Sequence, residues 1–203
     1  MILERRDGST MAVLTTELAQ RFDINEKTDL SVAELRKKVA AVGFTLHDPD
    51  LIFYLPASPG ADTQDLSNDL PRKLSDADRE AFDAFQGEAS EQDREDAYVE
   101  LDHWAVFGCF DGGRLVCVAS MYPWDGSSIA DLGVLTLSDV RGRGYARATV
   151  TAISQFARDK NYEPQYRCQV DNGASIALAK ACGFEPFGKW EVVQPDGPES
   201  HTH

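Results

Sequence analysis

The segment SDVRGRGYARATV, residues 138–150, places three arginines and two glycines between an apolar run and the start of an amphipathic helix. The first turn of a helix presents unpaired backbone N–H groups and the positive end of the helix dipole, which suits an anion. Gly142 and Gly144 let the backbone approach a phosphate closely, and Arg141 and Arg143 can fork around its oxygens. The spacing therefore predicts a binding site for a diphosphate.

Three other interpretations of this segment are considered. A solvated basic turn before a helix would use the same residues without binding a ligand, and this interpretation stays open. A dinucleotide-binding motif could begin at Gly142, but its sixth position is Arg147, where a small residue is needed, and the preceding strands are predicted to form hairpins. A P-loop is excluded because no G-K-[ST] follows.

A later segment, VDNGASIALAKACGF, adds a second motif. Arg141, Gly144 and Ala146 fit R/Q-x-x-G-x-G/A between an apolar strand and an amphipathic helix, and Asn172, a short helix and a terminal Gly-Phe follow at the expected separation. In this order the two motifs resemble the acetyl-coenzyme A motif and the later Asn-helix-Gly-Phe pattern of the GNAT superfamily of N-acetyltransferases. The resemblance covers roughly residues 70–193.

The resemblance implies a fold class and an activity. The fold would be α+β, the GNAT or acyl-CoA N-acyltransferase fold, with a mixed, mostly antiparallel sheet flanked by helices and a short N-terminal extension. The activity would be transfer of an acetyl group from the co-substrate acetyl-CoA to a primary amine, by direct attack in a ternary complex and without a metal ion. Two alternatives stay open: a transferase with another acyl donor or acceptor, and a module that senses CoA without catalysis.

The resemblance also assigns roles to positions. The end of the strand VLT would offer backbone groups to the pantetheine arm, in a gap beside the strand QYRCQV, and the bend at residues 141–147 would wrap the diphosphate through backbone amides. Asn172 would approach the arm from the far side, with Ser175 nearby, although helix capping alone would also explain Asn172. The predicted cofactor-binding residues are Val134, Leu135, Thr136, Arg141, Gly142, Arg143, Gly144, Tyr145, Ala146, Arg147, Asn172 and Ser175.

Direct acetylation needs a neutral amine, a polarised carbonyl and a proton source for the departing thiolate. Many superfamily members place a Tyr seven residues after the Asn for the last task, but here that residue is Ala179. The alternative proton donors for the thiolate are solvent, Ser175 or a residue of the N-terminal piece. Departure of the thiolate without a proton donor is a further alternative. Asp131, at the start of the strand predicted to contact the cofactor, is the candidate catalytic base. Glu100 and Asp102 are alternative candidates for the base. Asp131 would then have a structural role, as a carboxylate at a strand end that supports the turn.

Other reactive side chains are predicted to be structural. His103, at the start of a strand, is typical of a structural hydrogen-bond partner. Cys182 has only Lys180 nearby to lower its pKa, which favours a packed thiol over a nucleophile. The cysteines lie among apolar residues without C-x-x-C spacing, so reduced thiols are expected rather than disulfides or a metal site.

Local signals predict the elements that must position these residues. Before residue 70, Ser31 and Glu34 form a capping-box pattern for a helix that ends at Gly43, and DPDLIFYLP is a predicted strand. From Leu70 onward, LPRKL is a predicted strand, and SDADREAFDAFQ and SEQDREDAYVE are predicted helices. DGG joins HWAVFGCF to RLVCVASMY as a hairpin, and IADLGVLTL completes an antiparallel meander.

The remaining elements follow the bend. A helix from about residue 144 to 160 separates the meander from QYRCQV, which should therefore pair parallel to the preceding strand. A helix in NGASIALAKACGF and a strand in WEVVQ complete the pattern. The predicted domains are an N-terminal helical extension and linker (1–69), a GNAT N-acetyltransferase domain (70–195) and a disordered tail (196–203).

Charge and hydropathy limit the classes of partner that the protein is expected to bind. The 203 residues carry a formal net charge of −14, with a pI near 4.6. Duplex binding depends on Lys and Arg, so this acidity argues against a nucleic-acid partner and favours a cationic amine acceptor, small molecule or protein; solubility alone would also explain it. No apolar run approaches membrane-spanning length and the N-terminus lacks a signal-peptide core, so a soluble, cytoplasmic protein without a membrane partner is expected. A homodimer is left open.

Overall fold

The computed structural model describes residues 1–25, 30–57 and 71–193. These residues form two compact units. The first unit comprises Met1–Ile52, Cys168–Asn172 and residues 186–193, and the second comprises Phe53–Arg167 and Gly173–Glu185. The predicted boundary at residue 69 and the predicted tail from residue 196 lie outside the described residues, so both stay predictions.

The strands, in chain order, are β1 (Ile2–Arg5), β2 (Thr10–Ala12), β3 (Asp50–Tyr54), β4 (Arg72–Lys73), β5 (Ala105–Asp111), β6 (Arg114–Pro123), β7 (Ile129–Thr136), β8 (Glu163–Gln169) and β9 (Glu185–Glu191). The α-helices are α1 (Thr16–Arg21), α2 (Val32–Ala41), α3 (Arg79–Glu88), α4 (Glu91–Ala97), α5 (Tyr145–Asp159) and α6 (Gly173–Ala181). In the part of the chain that the structure describes, no helix combines the length and apolarity needed to cross a membrane.

The second unit is built on a mixed sheet in which β8, β7, β6, β5 and β4 are neighbours in that order. Strands β5, β6 and β7 form the predicted antiparallel meander, and β4 pairs antiparallel with β5. Strand β8 pairs parallel with β7, as the intervening long helix predicts. The DGG turn joins β5 to β6 with positive φ at both glycines, which confirms the predicted hairpin.

Strands β7 and β8 pair over only part of their length. Their register runs from Ile129 opposite Glu163 to Leu132 opposite Tyr166, whereas β7 continues to Thr136. The last residues of β7 are paired with β6. The gap that the resemblance implies beside VLT stays a prediction.

Helix α5 packs its apolar face on the meander. Val150, Ile153 and Ala157 recur at helical spacing and are completely buried. Phe82 and Phe85 of α3 are buried in a core cluster that also contains Val116 and Val118 of β6. Each such side chain contributes about 1.5–3 kcal/mol when fully buried. The bend at residues 141–147 is therefore anchored on a rigid helix.

The first unit contains the predicted capped helix and elements that the sequence analysis does not anticipate. Helix α2 has the expected capping box, with Ser31 and Glu34 bonded reciprocally. Strands β1 and β2 form a hairpin, and β1 also pairs antiparallel with β9. Ile2, Leu35 and Val39 are buried together in this unit's core.

Two differences from the predicted elements have physical causes. The β1–β2 hairpin turns at Asp7-Gly8-Ser9, where Gly8 has a φ of +85°. The Asp-Gly pair is a hairpin signal that the helical prediction for residues 1–69 did not use. Strand β9 begins at Glu185, five residues before the predicted WEVVQ, although it contains Pro186 and Gly188. A Cβ at Gly188 would lie 2.5 Å from the Glu4 carbonyl oxygen, so pairing with β1 accounts for the glycine there.

Candidate active site

The bend before α5 has the open geometry that anion binding requires. Gly142 and Gly144 adopt left-handed φ values of +79° and +89°, and no heavy atom lies within 4 Å of where a Cβ would be at either position. The first N–H of α5 that bonds back along the helix is that of Ala148, to the Gly144 carbonyl at 3.0 Å. The N–H groups of residues 145–147 precede it and have no acceptor within the helix.

Two of the three arginines of the bend are paired with carboxylates of neighbouring elements. Arg141 donates from Nη2 to Asp93 of α4 at 2.8 Å and from Nε to the Thr136 carbonyl at 3.1 Å. Arg143 lies 3.7 Å from the Asp111 carboxylate. Because these charges are partly offset, the backbone N–H groups and the helix dipole provide the main attraction for an anion at the bend.

The other predicted residues of the bend lie on the first turn of α5. A hydrogen bond with Asp111 raises the pKa of Tyr145, so its phenol stays protonated at neutral pH. Ala146 is half-buried and Arg147 is exposed. The Cys182 thiol donates a weak hydrogen bond to the Arg147 carbonyl at 3.9 Å, which ties α6 to α5. Burial raises the pKa of Cys182 to about 11, as expected of a packed thiol rather than a nucleophile.

The end of β7 leads from the bend toward a cleft. Leu135 is buried in the core, while Val134 and Thr136 are half-buried, and Thr136 donates its hydroxyl to the Cys117 sulfur at 3.1 Å. The cleft has a volume of about 100 Å³. Side chains or backbone of Tyr98, Tyr122, Asp131, Val134, Arg167 and Ser175 contribute to its wall. It thus brings together three of the predicted residues, Asp131, Val134 and Ser175.

A close contact between helix and strand forms one side of the cleft. A Cβ at Gly133 of β7 would overlap the Ala97 carbonyl oxygen at the end of α4. The next residue, Tyr98, adopts a left-handed conformation with φ 45° and ψ 53°. Only a glycine at position 133 lets α4 end directly on β7, so this residue places Tyr98 at the cleft.

Asp131 is buried in a network of hydrogen bonds. Its Oδ2 accepts from Arg167 Nη2 at 2.9 Å and from the Tyr122 hydroxyl at 3.1 Å, and its Oδ1 accepts from Gln165 Nε2 at 3.2 Å. Gln165 in turn accepts from the Tyr54 hydroxyl. Only 3% of Asp131 is exposed, whereas the Arg167 side chain is 29% exposed, so removing Arg167 would leave a buried carboxylate without this counterion.

Tyr122 belongs to the cleft wall and His103 packs against it, and the pKa values of the two side chains are shifted in opposite directions. Burial and the Asp131 carboxylate raise the pKa of Tyr122 to about 12, so its phenol remains protonated. Burial lowers the pKa of His103, whose Nδ1 lies 2.8 Å from the Ser120 hydroxyl. This hydrogen bond agrees with the predicted structural role of His103. Tyr122 lies opposite Asp131 in the register of β6 and β7. The sequence analysis missed Tyr122 because this pairing is seen only in the structure.

The other residues singled out in the sequence have the following surroundings. Asn172 belongs to the first unit, where its N–H donates to the Gln169 carbonyl at 3.1 Å. Ala179 is completely buried in α6. Glu100 and Asp102, which precede His103 in the chain, are exposed and act on its pKa through their charges. Across residues 1–25, 30–57 and 71–193, no group of three His, Cys, Asp or Glu side chains could hold a metal ion, and the four cysteines are free thiols.

The model of the Acetyltransferase (GNAT) family matches residues 72–184, more than half of the chain. The chain belongs to the GNAT family of acetyltransferases. The open mixed sheet with flanking helices is the GNAT fold in its α+β class. This confirms the fold and family that the bend and the later Asn-helix-Gly-Phe segment predict.

Individual relatives of this GNAT protein are distant. It is similar to a GNAT-family acetyltransferase from Colwellia psychrerythraea, with 19% identity, 80% of this chain and 63% of that chain covered, and a TM-score of 0.54. It is also similar to a GCN5-related N-acetyltransferase from Sphaerobacter thermophilus, with 14% identity, 83% and 58% covered, and a TM-score of 0.56. These likenesses concern the fold alone.

A curated relative is similar over a shorter stretch. The uncharacterized N-acetyltransferase YdfB of Bacillus subtilis (strain 168) is 28% identical over 67 residues, which are 33% of this chain and 26% of YdfB. The GNAT chain thus spans about a quarter of this relative and less than two thirds of the two structures above. Its donor and acceptor are matters for proposal.

Proposed function

We propose that this GNAT protein transfers an acetyl group from acetyl-CoA to a primary amine, by direct attack within a ternary complex. The observation that carries the proposal is the position of the bend. Two open left-handed glycines begin α5, and the half-buried end of β7 leads from them to a cleft with ionisable side chains, all within the second unit. A diphosphate, an extended arm and an acceptor would fit these three places in that order.

The residues at the bend suit acetyl-CoA on two counts. The space beside Gly142 and Gly144 is open where other residues would have a Cβ, so a phosphate can approach the backbone there. The N–H groups of residues 145–147 have no acceptor within the helix and can donate to that phosphate. When bound, acetyl-CoA supplies a thioester whose carbonyl carbon an amine can attack. The backbone from Arg141 to Arg147 would hold the diphosphate, and Val134, Leu135 and Thr136 would hold the arm. Ser175, which contributes to the cleft wall, is proposed to contact the arm as well.

Asp131 is proposed to accept the proton of the attacking amine, directly or through water. It contributes to the cleft wall and forms an ion pair with Arg167. The same hydrogen bonds give Asp131 a positioning role, because they fix Tyr122 and Arg167 in the wall. A base is needed because only a neutral amine has the lone pair for attack.

The two roles of Asp131 are separable by substitution. We expect Asp131→Asn to lower kcat/KM about 100-fold and to change the acidic limb of its pH profile, since a positioned base contributes 100-fold or more. Asp131→Asn also removes the carboxylate that pairs with Arg167, so urea unfolding is measured in parallel. Asp125→Asn, in the exposed turn between β6 and β7, serves as the control. A near-normal rate with an unchanged acidic limb would eliminate the base role.

The overall reaction is tested by release of free CoA thiol. The protein is incubated with acetyl-CoA and a panel of primary amines, and each acetylated product is identified by mass spectrometry. Amine-dependent thiol release with an N-acetyl product supports the proposal. Release only with longer acyl-CoA donors or with non-amine acceptors would indicate a different acyltransferase. Tight calorimetric binding of CoA without release across the panel would indicate a CoA sensor.

A further inference from the structure

Three aromatic rings meet at the cleft, and none has a role in the acetyl transfer described above. Tyr98 and Tyr122 belong to the cleft wall, and His103 packs against both. The ring centroids of Tyr98 and His103 are 5.2 Å apart, those of His103 and Tyr122 5.0 Å, and those of Tyr98 and Tyr122 5.9 Å. We call these three residues the aromatic cluster.

Tyr98 is held in a costly position. It is 57% exposed, which is unusual for a large aromatic ring, and its left-handed backbone conformation is unfavourable for a residue other than glycine. The contact between Ala97 and Gly133 of β7 fixes this conformation. A strained, exposed ring that the fold holds at a cleft is typical of a ligand-binding residue.

The charges around the aromatic cluster favour a cation. Asp96 belongs to the cleft wall, and Glu100 and Asp102 act electrostatically on His103. Burial lowers the pKa of His103, so its ring is uncharged at neutral pH and does not repel a cation. The positive charge of Arg167 in the same wall is balanced by its ion pair with Asp131.

We propose that the aromatic cluster binds a positively charged nitrogen of the acceptor, so that the preferred acceptors are amines with a second, cationic centre. The faces of aromatic rings attract ammonium groups, most strongly where water is partly excluded. The attacking nitrogen has to be neutral, so the nitrogen held on the rings is a different one. This inference rests on the proposed function and specifies the chemistry of its acceptor.

Two acceptors of matched shape test the inference. One is an aminobutyl-trimethylammonium salt, and the other is its neutral isostere, in which a tert-butyl group replaces the trimethylammonium group. We define selectivity as the ratio of their kcat/KM values and compare it between proteins, so that differences in amine basicity cancel. We expect Tyr98→Leu to lower selectivity for the charged acceptor about tenfold, and Tyr98→Phe, which keeps the ring face, to retain it within about twofold.

Two further variants sharpen the comparison. Asp96→Asn is expected to lower selectivity about threefold and to make it less sensitive to salt, because it removes one exposed charge. Tyr162→Leu also removes a phenol ring, but one that packs against Trp104 outside the aromatic cluster, and it should leave selectivity unchanged. Unchanged selectivity in Tyr98→Leu would overturn the inference.

A binding measurement separates this inference from the proposed function. The methyl resonance of tetramethylammonium should shift upfield on saturable binding to the wild-type protein, through the ring currents of the cluster, and Asp96→Asn should weaken the binding. Thiol release without acceptor selectivity and without this shift would leave the proposed function standing and overturn the inference. The shift without thiol release from any amine would overturn the acetyl transfer and support the cation site.

Discussion

Gly133→Ala is expected to lower the free energy of unfolding by about 3 kcal/mol, the upper part of the usual range for overpacking, and to abolish activity. The added Cβ would overlap the Ala97 carbonyl, a backbone atom that moves only if α4 moves. Displacement of α4 would remove Tyr98 from the cleft and Asp93 from Arg141. Urea denaturation followed by circular dichroism measures the first effect, and thiol release measures the second.

Gly87→Ala is the matched control for this substitution. Gly87 lies in α3, is exposed and has no heavy atom within 4 Å of a Cβ position. The same chemical change should therefore stabilise the protein by about 0.5–1 kcal/mol, because alanine loses less backbone entropy than glycine in a helix. If Gly133→Ala is as stable as the wild type, the contact between α4 and β7 is not as described.

Gly142→Asp is expected to weaken CoA binding about 100-fold. The substitution places a carboxylate where the diphosphate is proposed to bind, and like charges a few ångströms apart near a protein surface cost several kcal/mol at most. Affinity for pantetheine, which lacks the diphosphate, should be almost unchanged. Isothermal titration calorimetry with both ligands gives the two dissociation constants.

Gly126→Asp controls for backbone strain in that comparison. Gly126, in the turn between β6 and β7, has a φ of +71°, close to the +79° of Gly142, and the space beside it is equally open. Both variants should lose similar stability, but only Gly142→Asp should lose CoA affinity. Equal affinities for CoA in the two variants would refute a diphosphate site at the bend.

The sequence predicts those parts of the fold that depend on local signals. The meander follows from apolar runs separated by DGG, and α5 follows from its helical spacing and the glycines before it. The place of β9 beside β1 depends on pairing between distant parts of the chain, which periodicity does not encode. The β1–β2 hairpin is different: its turn at Gly8 is a local signal, which the helical prediction for residues 1–69 missed because the short strands beside it carry little apolar signal.

The candidate site divides in a similar way. The bend was predictable because a contiguous segment forms it, and Asp131 and Val134 follow from their places on the strand before it. Tyr98, Tyr122 and Arg167 come from three other elements and meet Asp131 only through strand register and the contact at Gly133. A left-handed tyrosine has no sequence signature, since its strain is imposed by tertiary packing.

Backbone amide shifts test the central claim most directly, because the claim concerns N–H groups. In ¹H–¹⁵N spectra, titration with CoA should shift the amides of residues 142–147 downfield and leave that of Gly126 in place, whereas pantetheine should not reproduce the downfield shifts at the bend. Such a pattern would place the diphosphate at the start of α5. Shifts confined to other residues, or identical shifts with pantetheine, would contradict the account.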